Sequence, residues 1–167
     1  LLRATLPSST ELVLQTPESA AFAYADPVQI QQVLLNLGIN ARDAIGGTGR
    51  IAVGLQRREV ADLACASCGR ALAGSFHELS VCDSGPGVGG ALRQRIFEPF
   101  FSTKAPGRGT GMGLATVNRI IHEHGGHVLL DTDPELGGAR FAVLLPVEAP
   151  AGAPPADAAA AAPVARR

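Results

Sequence analysis

Residues 83–117 have the sequence DSGPGVGGALRQRIFEPFFSTKAPGRGTGMGLATV, with a glycine cluster near each end. The first cluster follows an apolar segment, residues 76–82, that predicts a β-strand. The second opens an apolar-periodic segment, residues 114–124, that predicts a helix. Glycines at a helix N-terminus leave backbone N–H groups available to an anion. A strand-end carboxylate, Asp83, and a glycine-led helix together indicate a phosphate-binding site rather than a passive surface loop.

Two common phosphate-binding motifs are absent from the sequence. The chain has no GxxxxGK[ST], so it is not a P-loop protein. It also lacks an opening strand followed by GxGxxG, which disfavours a dinucleotide-binding domain of the Rossmann type.

Composition limits the kind of protein further. The 167 residues, 46% of them hydrophobic, suffice for one domain with a real core. The net charge of −1 and the lack of a basic run argue against nucleic-acid binding. No apolar run is long enough to cross a bilayer, so we expect no direct membrane contact. Three cysteines without a disulfide framework are typical of a cytoplasmic protein, or of the cytoplasmic part of a membrane-bound one.

Local patterns predict strands and helices in mixed order. Asp26 before Pro27 predicts a helix start, and Gly46-Gly47 predicts its end, giving a helix over residues 27–45. A second helix is predicted over residues 113–123 and a short one over 90–97. Strands are predicted at residues 11–15, 21–24, 50–56, 76–82, 127–132 and 139–145, with a loop over 57–75.

The predicted fold class is α/β, a two-layer sandwich in which helices cover one face of a mixed sheet. Residues 1–147 form the predicted domain. Residues 148–167 are rich in alanine and proline, which predicts a disordered linker or tail.

The first long helix has an unusual polar stripe. Its members are Gln29, Gln32, Asn36, Asn40 and Asp43, at spacings of three and four. An ordinary solvated stripe carries Glu, Lys and Arg, whereas this one is amides plus one carboxylate. Asparagine is a middling helix former, so two of them one turn apart indicate a function. A merely exposed polar face is the alternative.

Four motifs together resemble those of a known family. Residues 32–41, QVLLNLGINA, resemble the N box of sensor histidine kinases, and Asp83-x-Gly85-x-Gly87 resembles their G1 box. Residues 97–100, FEPF, resemble the F box, and residues 109–114, GTGMGL, resemble the G2 box. The motifs occur in the family's order over residues 26–146. The chain therefore resembles the catalytic ATP-binding domain of a two-component histidine kinase, with the Bergerat fold shared by gyrase and Hsp-type chaperone ATPases.

The resemblance implies ATP and Mg²⁺ as cofactors. Asn40 would ligate Mg²⁺ through its side-chain oxygen. Asn36, one turn earlier, would help to organise the site for catalysis, and Asp43 would support Asn40 or a nearby water. Asp83 would accept a hydrogen bond from the adenine amino group.

The remaining nucleotide contacts come from the glycine-rich segments. Residues 97–108 would form a lid whose cations, Lys104 and Arg108, meet the γ-phosphate. The resemblance gives nucleotide-binding positions also to Gly85, Gly87, Phe97, Gly109, Thr110, Gly111, Met112, Gly113 and Leu114.

Position 36 separates the subfamilies. Hydrolysing relatives carry a glutamate there as general base, and Asn36 cannot take a proton. This favours transfer of the γ-phosphoryl group to a histidine on a dimerisation hairpin, with a response-regulator receiver domain downstream. The chain's own four histidines are expected to be structural, so we expect it to bind ATP without phosphorylating itself. A non-catalytic nucleotide-binding scaffold, and a free-standing serine kinase or ATPase of the same superfamily, remain as alternatives.

Cys65-Ala66-Ser67-Cys68 permits three interpretations. The two cysteines are plain loop thiols, half of a metal or dimer-bridging site, or a redox pair. A structural zinc site needs four ligands. The candidates for the other two are His77, which is near in sequence, and Cys82, which is expected in a strand.

Overall fold

The computed structural model describes residues 2–17, 21–105 and 109–147. The predicted tail, residues 148–167, and the predicted lid cation Arg108 lie outside the described residues. The helices are α1, Pro27–Ile45, and α2, Gly113–Glu123. The strands are β1, Thr10–Gln15; β2, Gly49–Ala64; β3, Ala71–Asp83; β4, His127–Thr132; and β5, Ala139–Pro146.

The strands form one mixed sheet in the order β1-β2-β3-β5-β4. β1 runs parallel to β2, and the other neighbours are antiparallel. Both helices pack on the same face, because their apolar arcs meet the inward residues of the strands. The central side chains of this layer are Val33, Leu37, Ile51, Val81, Val117, Ile120, Ile121, Val128 and Val143. The predicted two-layer α/β sandwich is confirmed.

Both long helices have the predicted bounds. At the start of α1, the carboxylate of Asp26 accepts a hydrogen bond from the N–H of Val28 at 2.8 Å. At its end, Gly46 takes φ +69° and its N–H donates to the carbonyl of Arg42. Both devices lie within a few residues of the helix they bound, which is why sequence suffices to place them.

The predicted loop over residues 57–75 is wrong, because these residues are mostly strand. β2 and β3 form one long antiparallel hairpin, paired from Ile51↔Asp83 to Ala64↔Ala71. Outward-facing charged residues in β2 hide the alternation by which a half-buried strand is recognised. A register shift between Val60 and Leu63 bends the hairpin, and Asp62 there has φ +56°.

Beyond this bend the hairpin builds a second, smaller apolar cluster with β4 and β5. Because alternate residues of a strand point to opposite faces, this cluster uses the residues of β4 and β5 that the helices do not cover. Its buried members are Val60, Cys65, Leu72, Phe76, Leu129, Ala142 and Leu144.

Two short predicted elements are also wrong. Residues 21–24 are irregular, and Phe22 is 77% exposed, because four alternating residues do not make a strand without a paired neighbour. Residues 90–97 form two 3₁₀ turns, Gly90–Leu92 and Arg95–Phe97, instead of one short helix.

Within the described ranges, neither helix combines the length and apolar character needed to cross a membrane.

Candidate functional site

A cavity of 610 Å³ opens where the polar stripe of α1 faces the start of α2. The end of β3 and the segment between the 3₁₀ turn Arg95–Phe97 and α2 complete its wall. Its lining contains the following predicted site residues: Asn36, Asn40, Asp43, Asp83, Gly87, Lys104, Gly109, Thr110, Gly111, Met112, Gly113 and Leu114. Residues of three of the four motifs, the N, G1 and G2 boxes, are thus brought to one place together with Lys104.

The two asparagines of α1 lie against the first residue of α2. A methyl group placed on Gly113 would lie 3.7 Å from Nδ2 of Asn40 and 3.8 Å from Oδ1 of Asn36. The two amides, one helical turn apart, therefore face the glycine-led N-terminus across the cavity. That N-terminus has unpaired N–H groups and a partial positive charge.

Asn40 is only partly satisfied by the protein. Its buried Nδ2 has no hydrogen-bond partner among the described residues. Its Oδ1 lies 3.5 Å from Nζ of Lys104, a long contact for a charged donor. Buried polar groups usually find a partner, so this amide points to an interaction completed by a bound group.

Lys104 and Asp43 form the charged centre of the cavity. Nζ of Lys104 lies 2.6 Å from Oδ2 of Asp43, whose other oxygen accepts two hydrogen bonds from Arg42 at 2.7 and 2.9 Å. Burial raises the pKa of Asp43, but the hydrogen bonds from Lys104 and Arg42 outweigh it, so the pKa lies below its usual value. Asp43 is therefore held ionised.

Asp83 ends β3 as predicted and is 2% exposed. Its Oδ1 accepts hydrogen bonds from the N–H of Gly85 at 2.8 Å and the N–H of Ala139 at 3.3 Å. Burial raises the pKa of Asp83 more than these two bonds lower it, and the charge of Asp133 raises it further. The second carboxylate oxygen has no hydrogen bond within the described residues, which leaves it available at the cavity wall.

Gly111 holds the glycine-rich segment against the backbone of Phe100. It has φ +67°, and a Cβ there would lie 2.4 Å from the carbonyl carbon of Phe100. The N–H of Phe100 donates to the carbonyl of Gly111 at 3.0 Å. Only glycine permits both this backbone conformation and this close approach.

Two predicted contacts are placed elsewhere. Phe97 is 6% exposed and belongs to the core, so its neighbours Ile96 and Phe101 line the cavity in its place. Gly85 lies beside the cavity rather than in its lining. It passes the backbone of Ala44 so closely that a Cβ would lie 3.1 Å from the carbonyl carbon.

Some residues of the cavity wall were not predicted from the sequence as site residues. Gln32, Ser102 and Thr103 also line the cavity. The position of Gln32 was visible in the sequence, because it precedes Asn36 by one turn on the same polar stripe. Ser102 and Thr103 had no comparable signal beyond their place next to Lys104.

This fold and cavity define an ATPase-type nucleotide-binding domain. The family model described as histidine kinase-, DNA gyrase B- and HSP90-like ATPase matches residues 25–149. The chain belongs to this family, and its similarity to histidine kinase catalytic domains is confirmed.

Individual two-component sensors and histidine kinases are also similar to this chain. The chain is 42% identical over 125 residues to the two-component sensor PprA of Pseudomonas aeruginosa, covering 75% of this chain and 12% of that protein. The catalytic domain of histidine kinase ThkA in a nucleotide-free form is 31% identical with a TM-score of 0.63, covering 83% of this chain and 80% of that one. Full-length ShkA in complex with AMPPNP is 30% identical with a TM-score of 0.61, covering 82% of this chain and 25% of that one. The chain therefore spans about an eighth of the length of the sensor PprA.

Proposed function

We propose that this chain binds Mg-ATP and transfers the γ-phosphoryl group to a histidine on a dimerisation hairpin, in two-component signalling. The observation that carries the proposal is the contact of the Lys104 ammonium with the oxygens of Asn40 and Asp43 inside the cavity. These oxygens attract a cation, and the ammonium is a cation that a triphosphate can attract in turn.

The proposed nucleotide lies with its phosphates at the N-terminus of α2. The N–H groups of the segment from Gly109 to Gly113 and the helix dipole favour negative charge there. Asp83 lies in the same wall with one carboxylate oxygen unused, in a place suited to accept a hydrogen bond from an adenine amino group. The complex of the related ShkA with AMPPNP, an ATP analogue, supports this assignment.

The donor set also fits Mg²⁺. Asn40 offers a neutral amide oxygen, a hard ligand, and its remaining ligands would be phosphate oxygens and water. When bound, Mg²⁺ supplies charge neutralisation at the phosphates. Asn36 and Asp43 would orient Asn40 and the surrounding water.

The cavity favours transfer over hydrolysis. The carboxylates that line it within the described residues are Asp43 and Asp83. Asp43 is paired with Lys104 and Arg42, and the free oxygen of Asp83 is the one assigned to the adenine amino group, so neither carboxylate is left to activate water as general base.

The phosphoryl acceptor must come from outside this cavity. The chain has four histidines, and none of them lines it. A neutral imidazole is nucleophilic without a base, so the protein's task is to position the γ-phosphate and neutralise its charge.

The proposal is tested by phosphotransfer from radiolabelled ATP with Mg²⁺. We expect label on a histidine-bearing helical hairpin supplied with this chain, acid-labile as a phosphohistidine is, and little label on the chain alone. Asn40→Ala should weaken Mg-dependent ATP binding at least about tenfold, since loss of even an outer-shell ligand costs roughly 10–100-fold.

Gln31→Ala is the matched control, because Gln31 is an exposed amide on α1 outside the cavity lining. It should bind and transfer as the unaltered chain does. Binding of ATP without transfer to any hairpin would instead identify a nucleotide-binding scaffold. Rapid phosphate release with no hairpin present would identify an ATPase.

A further inference from the structure

Two cysteines and two histidines converge at the tip of the β2–β3 hairpin, far from the nucleotide cavity. Cys65 and Cys68 belong to the hairpin turn, His122 to the last turn of α2, and His127 to the start of β4. We call these four residues the Cys₂His₂ cluster. One ligand atom from each residue lies within 4.8 Å of all the others.

These separations match a single tetrahedral metal ion. Zinc binds sulfur at about 2.3 Å and nitrogen at about 2.0–2.1 Å, so the ligand atoms of such a site are about 3.3–3.8 Å apart. Here Sγ of Cys65 lies 3.8 Å from Nε2 of His122, and Sγ of Cys68 lies 3.8 Å from Nδ1 of His127. A small inward movement of side chains would close the site.

The spacing of the four residues is also that of a zinc site. Cys65 and Cys68 are separated by two residues, and His122 and His127 by four. Both intervals lie within the ranges found in structural zinc sites. The two cysteines lie at one turn and the two histidines flank another. In each pair the backbone therefore already directs two ligands to the same place.

The turn that carries the cysteines has the geometry for presenting two sulfurs. Gly69 follows Cys68 with φ +71°, and its N–H donates to the carbonyl of Cys65 at 3.0 Å. Sγ of Cys65 also lies 3.3 Å from Oγ of Ser67, a contact within the same turn. The turn therefore holds both sulfurs on the side that faces His122 and His127.

A hydrogen bond to the backbone of α2 fixes the ring of His122. Its Nδ1 lies 2.8 Å from the backbone carbonyl of Asn118. A carbonyl only accepts, so Nδ1 carries the proton and Nε2 presents its lone pair towards Cys65. Metal-bound histidines almost always donate their other ring N–H to such an acceptor.

The ligand set selects among metals. Two sulfurs and two imidazole nitrogens in tetrahedral arrangement favour zinc over Mg²⁺ or Ca²⁺, which prefer oxygen. A two-iron cluster would hold the cysteines and the histidines on different irons and therefore farther apart than here. Cys65 and His127 are buried, whereas Cys68 is exposed, so an ion can reach the site from solvent.

We propose that the Cys₂His₂ cluster binds one zinc ion, which ties the hairpin tip to α2 and β4. One backbone and one side-chain contact already bring these elements together: the N–H of Ala66 donates to the carbonyl of Val128 at 2.7 Å, and Cys65 packs in the second apolar cluster. All four ligands are protein side chains, so the site is closed and structural rather than catalytic.

The test is the zinc content of the full chain, expressed with zinc in the medium and freed of any histidine tag. We expect one zinc ion per chain by elemental analysis and by native mass spectrometry. Replacement by Co²⁺ should give the visible absorption bands of a tetrahedral ion with thiolate ligands. Removal by a strong chelator should lower the melting temperature.

Cys68→Ser is the first variant, because Cys68 is exposed and its substitution leaves the packing intact. It should lose bound zinc and its melting temperature should no longer respond to chelator. Cys82→Ser is the matched control, since Cys82 is a thiol of β3 outside the cluster. It should retain one zinc ion per chain.

Three results would each overturn the proposal. The first is a folded, unaltered chain that takes up neither zinc nor Co²⁺. The second is a Cys68→Ser variant that keeps its metal. The third is a metal-free chain whose mass is lower by two hydrogens because Cys65 and Cys68 are joined as a disulfide. Since the cluster and the nucleotide cavity share no residue, loss of zinc binding leaves the proposed kinase function to be judged separately.

Discussion

The pKa values of two carboxylates that line the same cavity are shifted in opposite directions by their surroundings. The pKa of Asp43 lies below its usual value because two cations donate to it, although burial alone would raise it. The pKa of Asp83 lies above its usual value because burial outweighs two backbone hydrogen bonds. On acidification, therefore, Asp83 takes up a proton while Asp43 remains charged.

This difference predicts how nucleotide affinity depends on pH. As pH falls through the raised pKa of Asp83, the carboxylate is protonated and loses the charge with which, in the proposed complex, it would accept a hydrogen bond from the adenine amino group. We expect ATP affinity to decrease in that range, measured by titration calorimetry. The nucleotide's own phosphates titrate too, so Asp83→Asn serves as the reference: it should bind more weakly at neutral pH and lack the extra acid-dependent loss. An identical pH profile in both proteins would contradict the adenine-binding role.

A carboxylate introduced at position 36 is expected to increase ATP hydrolysis. Asn36→Glu places a carboxylate one turn before Asn40, where a general base can activate water. General bases contribute roughly 10²–10⁴-fold, and an unoptimised one should still raise phosphate release at least about tenfold. Asn36→Gln, with an amide of the same length, should leave phosphate release at background. Equal rates for both variants would show that the absence of a base at position 36 does not limit hydrolysis.

At the scale of elements, the segment before α2 depends on one glycine. Gly111 needs a positive φ and passes close to the backbone of Phe100. A left-handed conformation costs a side-chain-bearing residue about 1–2 kcal/mol, and the contact adds strain because backbone atoms cannot move aside.

Gly111→Ala should therefore shift this segment and weaken ATP binding, with a smaller loss of thermal stability. Gly89→Ala is the control: Gly89 has φ −62°, and a Cβ there meets nothing within 4 Å. It should leave both ATP affinity and melting temperature unchanged. Calorimetry with ATP and thermal unfolding measure the two effects, and unaltered affinity in Gly111→Ala would show that the segment does not touch the nucleotide.

The bounds of α1 and α2 could be predicted from the sequence, whereas the β2–β3 hairpin could not. The bounds of α1 are set by Asp26, Pro27 and Gly46, which act on backbone groups only a few residues away. A local sequence pattern therefore suffices to predict these bounds. The outer half of β2–β3 is held by cross-strand pairing and by the second apolar cluster. The residues that contact this half of the hairpin are distant in sequence, and no local sequence pattern indicates which residues they are.

At the scale of the whole molecule, the sheet face away from the helices holds a buried charge. Glu78 has no exposed surface, and its carboxylate accepts hydrogen bonds from Gln56 at 2.8 Å and from Arg58 and Arg140. Burial raises the pKa of Glu78, but these donors and the two arginine charges outweigh it and lower the pKa below 4.5. Three donors from β2 and β5 thus meet at one acceptor of β3.

Glu78→Gln should destabilise the fold, because the amide carries no charge and puts an NH₂ group in place of one of the two oxygens that accept from the arginines. Breaking a buried pair costs about 3–5 kcal/mol, and the partial exposure of Arg58 places the expectation at about 2–3 kcal/mol. Since the folded pKa is lowered, the stabilisation by Glu78 is present above pH 4.5 and is lost as pH falls through the folded value. Glu78→Gln should flatten that acid limb of the stability curve.

Glu59→Gln provides the comparison for denaturant unfolding at several pH values. Glu59 is 70% exposed and its contact with Arg57 is 3.8 Å, so this exposed pair contributes little. Equal stability of the two variants would show that the Glu78 network contributes no more than a surface pair.

Most residues that line the cavity could be predicted from sequence, whereas the Cys₂His₂ cluster could not. The N, G1 and G2 boxes each carry a local pattern, and the fold brings these three boxes together. The cysteines suggested a metal only as one of three interpretations, with His77 and Cys82 as candidate ligands. The fold supplies His122 and His127 instead, because the end of α2 and the start of β4 meet the hairpin tip.

The Lys104–Asp43 contact has a consequence for how the cavity fills. The ammonium of Lys104 lies 2.6 Å from a carboxylate oxygen of Asp43 on α1. In the proposed complex a triphosphate would compete with Asp43 for this ammonium, so ligand affinity would measure an exchange of partners rather than a simple addition. Neutralising Asp43 would free the lysine for the phosphate and would also release from α1 the segment that carries Lys104.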